Sequence, residues 1–177
     1  MESADLSHVL FVGGRSGAGK STVALEVSHQ LAEAGVKHAV IEGDNLDLAY
    51  PEPWRQGLQL AELNLAAMWR NYCAAGYRRL IYTNTVSVLE SGKLTQAMGG
   101  EVHATEVLLT ASDATARTRL SVREIGSTLD HHVERSNQAA RLLDARAGES
   151  VHRVETDGRT VGEIARQIMG LSGWLQL

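Results

Sequence analysis

Short apolar runs recur along the chain, separated by longer stretches with helical periodicity. Five runs are apolar through their middles and bounded by polar residues or glycine, and they lie at 8–14, 37–45, 78–85, 104–113 and 151–156. Runs of this length without alternation are typical of strands that are covered on both faces. They therefore predict the strands of a parallel sheet.

Five other stretches carry apolar residues at a helical spacing, at 21–35, 58–76, 113–124, 133–146 and 160–170. Because strands and helices alternate, the sequence predicts a three-layer α/β fold with helices on both faces of the sheet. No repeat or low-complexity linker interrupts the pattern. Residues 1–177 are therefore predicted to form a single domain.

Two of the predicted helices carry signals for their ends. Gly35 follows the first helix, at the position where a residue with a left-handed backbone often ends a helix. Thr160 and Glu163 have the spacing of a capping box at the start of the last helix.

The segment "GRSGAGKS", residues 14–21, lies between the first predicted strand and the first predicted helix. Its glycines, lysine and hydroxyl match the Walker A pattern, and a strand before and a helix after are the context that this pattern requires. Inward amide N–H groups and the helix N-terminus are expected to hold phosphate oxygens. The predicted nucleotide-binding residues are Gly14, Arg15, Ser16, Gly17, Ala18, Gly19, Lys20, Ser21 and Thr22.

Three side chains of this segment have separate expected roles. Lys20 is expected to reach the β- and γ-phosphates as a point charge, and the Ser21 hydroxyl to bind Mg²⁺. Thr22 is expected to contact the α-phosphate. The alternative is a glycine-rich turn that binds nothing, and the agreement of pattern, strand and helix argues against it.

A carboxylate follows the second predicted strand, in "EGDN" at 42–45. This is the carboxyl edge of the sheet, where open α/β sheets bind their ligands. Asp44 is predicted to accept the proton of an attacking hydroxyl as catalytic base, to hold Mg²⁺, or to do both. The alternative is an aspartate that only hydrogen-bonds to the backbone of its own turn.

Arginines cluster around 117–135. Arg119 and Arg123 are four residues apart in a predicted helix and so share a face. The following segment, about 124–135, has a glycine, mixed polarity and then Arg135, which suits a lid that closes over phosphates. Arg123 and Arg135 are predicted to stabilise the transferring phosphoryl group. The alternative is a solvated helix face, the usual place of an arginine.

The composition indicates which kinds of partner the protein is not expected to bind. The net charge of −4 argues against a nucleic-acid-binding surface. No apolar run approaches the roughly 20 residues of a membrane span, and the one cysteine, Cys73, cannot form an internal disulfide. We expect a soluble, cytoplasmic protein, a monomer or homodimer, without a nucleic-acid or membrane partner.

With "GRSGAGKST", "VIEGDN", "RTRLSVRE" and "TDGRTVGEIARQI", the sequence resembles the small P-loop kinases of the nucleoside-monophosphate-kinase type. Within them it is similar to the group of adenylylsulfate kinase, gluconate kinase, shikimate kinase and chloramphenicol phosphotransferase. The resemblance implies a five-stranded parallel sheet of order 2-3-1-4-5 and a small lid. It also implies ATP and Mg²⁺ as cosubstrates and transfer of the γ-phosphate to a small-molecule acceptor.

The resemblance further implies where the nucleotide base binds. It places the adenine near Arg119, with the loop "DGRT" at 157–160 on its other side. Gly158, Arg159 and Thr160 are therefore added to the predicted nucleotide-binding residues.

The third strand departs from the pattern of many P-loop proteins, which end it with an aspartate that helps to hold Mg²⁺. Here "LIYTNT" offers only Thr83, Asn84 and Thr85. Either Asp44 serves the metal as well as the acceptor, or water completes the metal shell.

The acceptor itself is not identified, because the segments at 46–60 and 84–100 match no known acceptor site. The leading hypothesis is an ATP-dependent small-molecule kinase. A nucleotide-binding switch or regulatory ATPase is the alternative from another class, and a P-loop protein that binds nucleotide without chemistry is the third.

Overall fold

Strands and helices alternate along the chain. The computed structural model describes residues 6–123 and 128–176, apart from the side chain of Arg123. The strands are β1 (Ser7–Gly14), β2 (Ala39–Glu42), β3 (Arg79–Thr83), β4 (Val102–Thr110) and β5 (His152–Glu155). The helices are α1 (Lys20–Glu33), α2 (Leu60–Ala74), α3 (Ser87–Met98), α4 (Asp113–Arg123), α5 (Leu129–Arg146) and α6 (Val161–Ser172).

The described strands form one parallel sheet, as the sequence pattern predicted, in the order β2-β3-β1-β4-β5 that the family resemblance implied. β1 lies in the middle, where Val9 pairs with Leu80 of β3 and with Ala104 of β4. The central position carries the end of β1 to the carboxyl edge of the sheet, between the ends of β3 and β4. The glycine-rich segment therefore begins where the polar ends of neighbouring strands meet.

Helices cover both faces of the sheet. α1 and α6 pack on one face, over a buried cluster that includes Leu10, Val12, Val27, Ile164 and Trp174. α2 and α3 pack on the other face, over Phe11, Leu65, Trp69, Leu80 and Tyr82. Trp174, which follows α6, is 1% exposed and packs on this domain, whereas the next residue, Leu175, is 52% exposed.

Both capping signals are confirmed. Gly35 has a φ of 73° after α1. At α6 the Thr160 hydroxyl accepts from the Glu163 N–H, and the Glu163 carboxylate accepts from the Thr160 N–H. None of the helices in the described part of the chain combines the length and apolar character that crossing a bilayer requires.

Helix α3 lies in the segment at 84–100, where the sequence pattern predicted only acceptor loops. Its inward face starts with the buried Ser87 and continues through the half-buried Ser91 before it reaches Leu94. These serines interrupt the apolar period, and Gly92 weakens the helical pattern further.

The segment predicted as a lid is partly helical. Residues 124–127 lie outside the described residues. α5 begins at Leu129, four residues before the predicted start of this helix, so residues 129–135 form its first turns. The early start follows from tertiary contacts, because Val133 and Ser136 on this helix are buried.

Candidate active site

The phosphate loop, residues 14–19, joins the end of β1 to the start of α1. Gly14 and Gly17 have φ values of 146° and 86°, which favour glycine. A Cβ on Gly14 would lie 2.7 Å from the Leu109 carbonyl oxygen, and one on Gly17 would lie 2.8 Å from that of Ala116. The glycines therefore let the loop run directly against the backbones of β4 and α4.

Helix α1 begins at Lys20, so its N-terminus faces the interior of the loop. Lys20 Nζ lies 3.4 Å from the Arg15 carbonyl oxygen, across the loop. Ser21 and Thr22 are exposed in the first helical turn. The sequence-predicted cation and hydroxyls are thus placed at the amide-rich end of a helix, where phosphate binds favourably.

Arg119 brings α4 to the phosphate loop. Its Nη1 donates to the carbonyl oxygens of Gly17 at 3.1 Å and Ala18 at 3.3 Å. The same guanidinium donates to the Thr156 hydroxyl at 3.0 Å and to the Thr156 carbonyl at 3.2 Å. Because Thr156 directly precedes the loop at 157–160, the structure brings Arg119 and that loop together.

The side chains of the loop at 157–160 are engaged by the protein itself. Thr160 caps α6, and Arg159 donates to the Gln167 side chain at 2.8 Å and the Glu155 carbonyl at 3.0 Å. Asp157 accepts from the Ser112 N–H at 3.2 Å. A nucleotide base at this loop would therefore meet its main chain and Gly158.

Asp44 lies in a 3₁₀ turn, Gly43–Asn45, at the end of β2. Its carboxylate accepts a hydrogen bond from the Thr85 backbone and interacts with the Lys20 ammonium. Partial burial raises the pKa of Asp44, the Lys20 charge opposes that rise, and the nearby Glu42 carboxylate adds to it. Asp44 and Lys20 thus interact at the carboxyl edge of the sheet, the region called the cleft below, and the raised pKa makes this carboxylate a stronger base than an unperturbed aspartate.

The turn that carries Asp44 lies on the ring of Tyr82, which is 1% exposed. A Cβ on Gly43 would come within 2.4 Å of Tyr82 Cζ and Oη. Burial raises the pKa of Tyr82, and the Glu90 and Asp44 carboxylates raise it further, so the phenol stays protonated. Tyr82 is therefore a neutral support beneath the turn.

Replacing Gly43 by alanine is expected to destabilise the fold by about 1–3 kcal/mol, because the added methyl overlaps the buried ring. The matched control is Gly92→Ala in α3, where an added Cβ has no atom within 4 Å. That change is expected to stabilise the fold by about 0.5–1 kcal/mol, since alanine favours a helix. Urea unfolding of the two variants measures both values. Equal stability of Gly43→Ala and the wild type would contradict the close packing.

The Glu62 and Glu90 carboxylates, which act on Tyr82 together with Asp44, are bridged by Lys93. Lys93 Nζ lies 2.8 Å from Glu62 and 2.9 Å from Glu90. Burial would raise the pKa of Glu62, but its hydrogen bond with Lys93 lowers that pKa overall. Trp54, in the 3₁₀ turn Pro53–Gln56, is 58% exposed and stacks against the Arg55 guanidinium, 4.7 Å from the ring centre.

The side chain of Arg15 points away from the phosphate loop, although the sequence placed this residue among the nucleotide contacts. It is 3% exposed, and its Nε donates to the Ser136 hydroxyl at 2.8 Å. Its two terminal nitrogens donate to the side-chain oxygens of Asp113 and Asn137. Any contact between Arg15 and a phosphate therefore comes from its main chain.

The predicted lid arginines stay predictions. The side chain of Arg123 lies outside the described residues, and Arg135 is exposed on α5. Nearby, Arg117 and Asp130 form an exposed ion pair of 3.1 Å that joins α4 and α5. A surface pair of this kind contributes little to stability.

The oxygen atoms at the cleft fit Mg²⁺. Ser21 and Asp44 offer a hydroxyl and a carboxylate, and the Thr83 hydroxyl, at the end of β3, is buried without a hydrogen-bond partner among the described residues. The described residues contain no group of three or more histidine, cysteine, aspartate or glutamate residues that could hold a metal ion. Mg²⁺ does not need one, because it usually binds one or two protein oxygens together with phosphates and water.

The comparisons with known proteins begin with a family model for adenylylsulphate kinase, which matches residues 6–52. This segment runs from β1 through the phosphate loop to the turn of Asp44. No curated protein sequence matches the chain.

Solved structures resemble the chain over nearly its whole length. A gluconokinase from Sinorhizobium meliloti is 20% identical with a TM-score of 0.59, and the match covers 99% of this chain and 94% of that one. Shikimate kinase from Acinetobacter baumannii in complex with shikimate is 15% identical with a TM-score of 0.57, covering 94% and 92%. Mycobacterium tuberculosis adenylylsulphate kinase in complex with AMPPNP and adenylylsulphate is 18% identical with a TM-score of 0.54, covering 93% and 96%. The resemblance to small P-loop kinases is therefore confirmed for the fold.

Proposed function

We propose that this chain is a phosphotransferase that moves the γ-phosphate of MgATP to a hydroxyl group of a small molecule. The observation that carries the proposal is the electrostatic interaction of Lys20 with the Asp44 carboxylate beside the phosphate loop. Nucleotide binding alone explains Lys20, but it does not require a carboxylate of raised basicity beside it. A phosphoryl acceptor does, because its hydroxyl must lose a proton.

The structural neighbours support the same proposal. The three that are described above are kinases whose names each specify a small molecule. Their likeness extends across this chain, including the segments on the acceptor side of the cleft. The family match to adenylylsulphate kinase covers the phosphate loop and Asp44, the two parts on which the proposed chemistry depends.

In the proposed reaction the acceptor hydroxyl oxygen attacks the γ-phosphorus while its proton passes to the Asp44 carboxylate. The bond between the γ-phosphorus and the β–γ bridging oxygen breaks, and ADP leaves with that oxygen. Lys20 and the loop amides stabilise the negative charge on the phosphoryl oxygens. Ser21 and Asp44 would hold Mg²⁺, which would supply further positive charge near these oxygens.

The experiment that tests the proposal measures ADP release from MgATP with a panel of hydroxyl-bearing acceptors, including nucleosides, sugars, sugar acids, adenylylsulfate and antibiotics. A kinase is expected to release little ADP alone and far more with its acceptor. Phosphorylated product, identified by mass spectrometry, must appear in the same amount as ADP.

The alternative function, a nucleotide-binding regulatory ATPase or switch, gives a different result. MgATP would then bind and raise the thermal midpoint, but no small molecule would increase ADP release. A response of the ATPase rate to a protein partner would support that alternative and contradict the kinase proposal.

A further inference from the structure

Three consecutive carbonyl groups of the phosphate loop are held from outside the loop. The Ser136 hydroxyl of α5 donates to the Ser16 carbonyl oxygen at 2.7 Å. Arg119 of α4 donates to the next two, those of Gly17 and Ala18. α4 and α5 are the helices on either side of residues 124–127. The helix before the predicted lid segment and the helix that contains its last residues therefore both contact the loop.

A hydrogen bond that fixes the direction of a backbone carbonyl also fixes the direction of the next residue's N–H. In a trans peptide the C=O of one residue and the N–H of the next point in opposite directions. A Ser16 carbonyl that points toward α5 therefore directs the Gly17 N–H to the opposite side, into the loop. Phosphate binding at such a loop depends on amide groups that point inward before the ligand arrives.

The Ser136 hydroxyl is itself oriented by Arg15. Arg15 Nε–H donates to Ser136 Oγ at 2.8 Å, which occupies a lone pair and leaves the hydroxyl hydrogen for the Ser16 carbonyl. Ser136 is 2% exposed and Arg15 is 3% exposed, so water does not compete for these bonds. Asp113 compensates the buried guanidinium charge, and Asn137 accepts a further hydrogen bond from it.

We propose that Ser136, oriented by Arg15, is a positioning residue that presets the phosphate loop for nucleotide binding. The inference rests on the proposed function only in that the loop binds MgATP. Ser136 contacts no phosphate in this arrangement. It acts through the Ser16–Gly17 peptide, and the Arg15 side chain acts through Ser136.

The test compares Ser136→Ala with Ser172→Ala. Ser172 is a matched control, because it is also buried and its hydroxyl donates to a backbone carbonyl, that of Met169 at 2.9 Å, but on α6. Calorimetric titration with a non-hydrolysable ATP analogue and Mg²⁺ needs no acceptor. We expect the Kd to rise roughly tenfold in Ser136→Ala and to stay within about twofold of the wild type in Ser172→Ala.

If Ser136 only stabilises the fold, the two variants are expected to give a different result. Both variants would then lower the thermal midpoint and leave the Kd unchanged, which would overturn the inference while leaving the proposed function intact. Failure of the wild type to bind the nucleotide would instead refute the proposed function, and the inference with it. If Ser136→Ala does not fold, Ser136→Cys keeps the side-chain size with a much weaker donor, and it is expected to show the same rise in Kd.

Discussion

Replacing Lys20 by alanine is expected to lower the rate of phosphate transfer on the order of 10³-fold or more while leaving the fold intact. Lys20 is the cation at the first turn of α1, and its ammonium lies across the phosphate loop from the Arg15 carbonyl. Its positive charge is expected to stabilise the negative charge that builds up on the phosphoryl oxygens, and alanine supplies none. Acceptor-dependent ADP release measures the loss, and circular dichroism checks the fold.

Lys37→Ala is the matched control for this experiment. Lys37 is also a lysine with a hydrogen bond to a backbone carbonyl, that of Ala75 at 2.7 Å, and it lies over the Tyr77 ring away from the phosphate loop. Its removal is expected to leave the transfer rate within about twofold, because it changes only a partly exposed surface interaction. Phosphate transfer by Lys20→Ala at the wild-type rate would refute the central role given to this residue.

The fold and the phosphate loop could be predicted from sequence because their signals are local. Each strand is a short apolar run, and the Walker A glycines, Lys20 and Ser21 are contiguous. The strand order came from the family resemblance rather than from periodicity. Asp44 was found because a carboxylate after a buried strand must reach the ligand-binding edge of the sheet.

The contacts that hold the site in place could not be predicted, because they join residues that are far apart in the sequence. Arg15 and Ser136 are 121 positions apart, and an arginine in a glycine-rich loop suggests a phosphate contact rather than a buried bond to a helix. The sequence does not distinguish Gly43 from an ordinary turn glycine, because its contact with Tyr82 exists only in the fold. Helix α3 was missed because Ser87 occupies a fully buried position where the pattern required an apolar residue.

The raised pKa of Asp44 has a consequence for stability. A carboxyl whose pKa is raised by burial holds its proton more tightly in the folded state than in the unfolded chain. The fold therefore loses stability as the pH rises from the unfolded value, about 3.9, through the raised folded value. At neutral pH the ionised Asp44 destabilises the ligand-free protein, and this cost is the usual price of a reactive group in a cleft.

Asp44→Asn is accordingly expected to cut the transfer rate by roughly 10²-fold or more and to raise the thermal midpoint of the ligand-free protein at pH 7. Asparagine keeps the shape of the side chain but neither accepts the acceptor's proton nor carries the negative charge. The gain in midpoint should disappear at about pH 3, well below the unfolded pKa, where the wild-type carboxyl is protonated in both states. Asp144→Asn, an exposed change on α5, is the control and should alter neither quantity. A defect that high Mg²⁺ fully restores would contradict the role of Asp44 as base and assign it to the metal, since added cation cannot replace a proton acceptor.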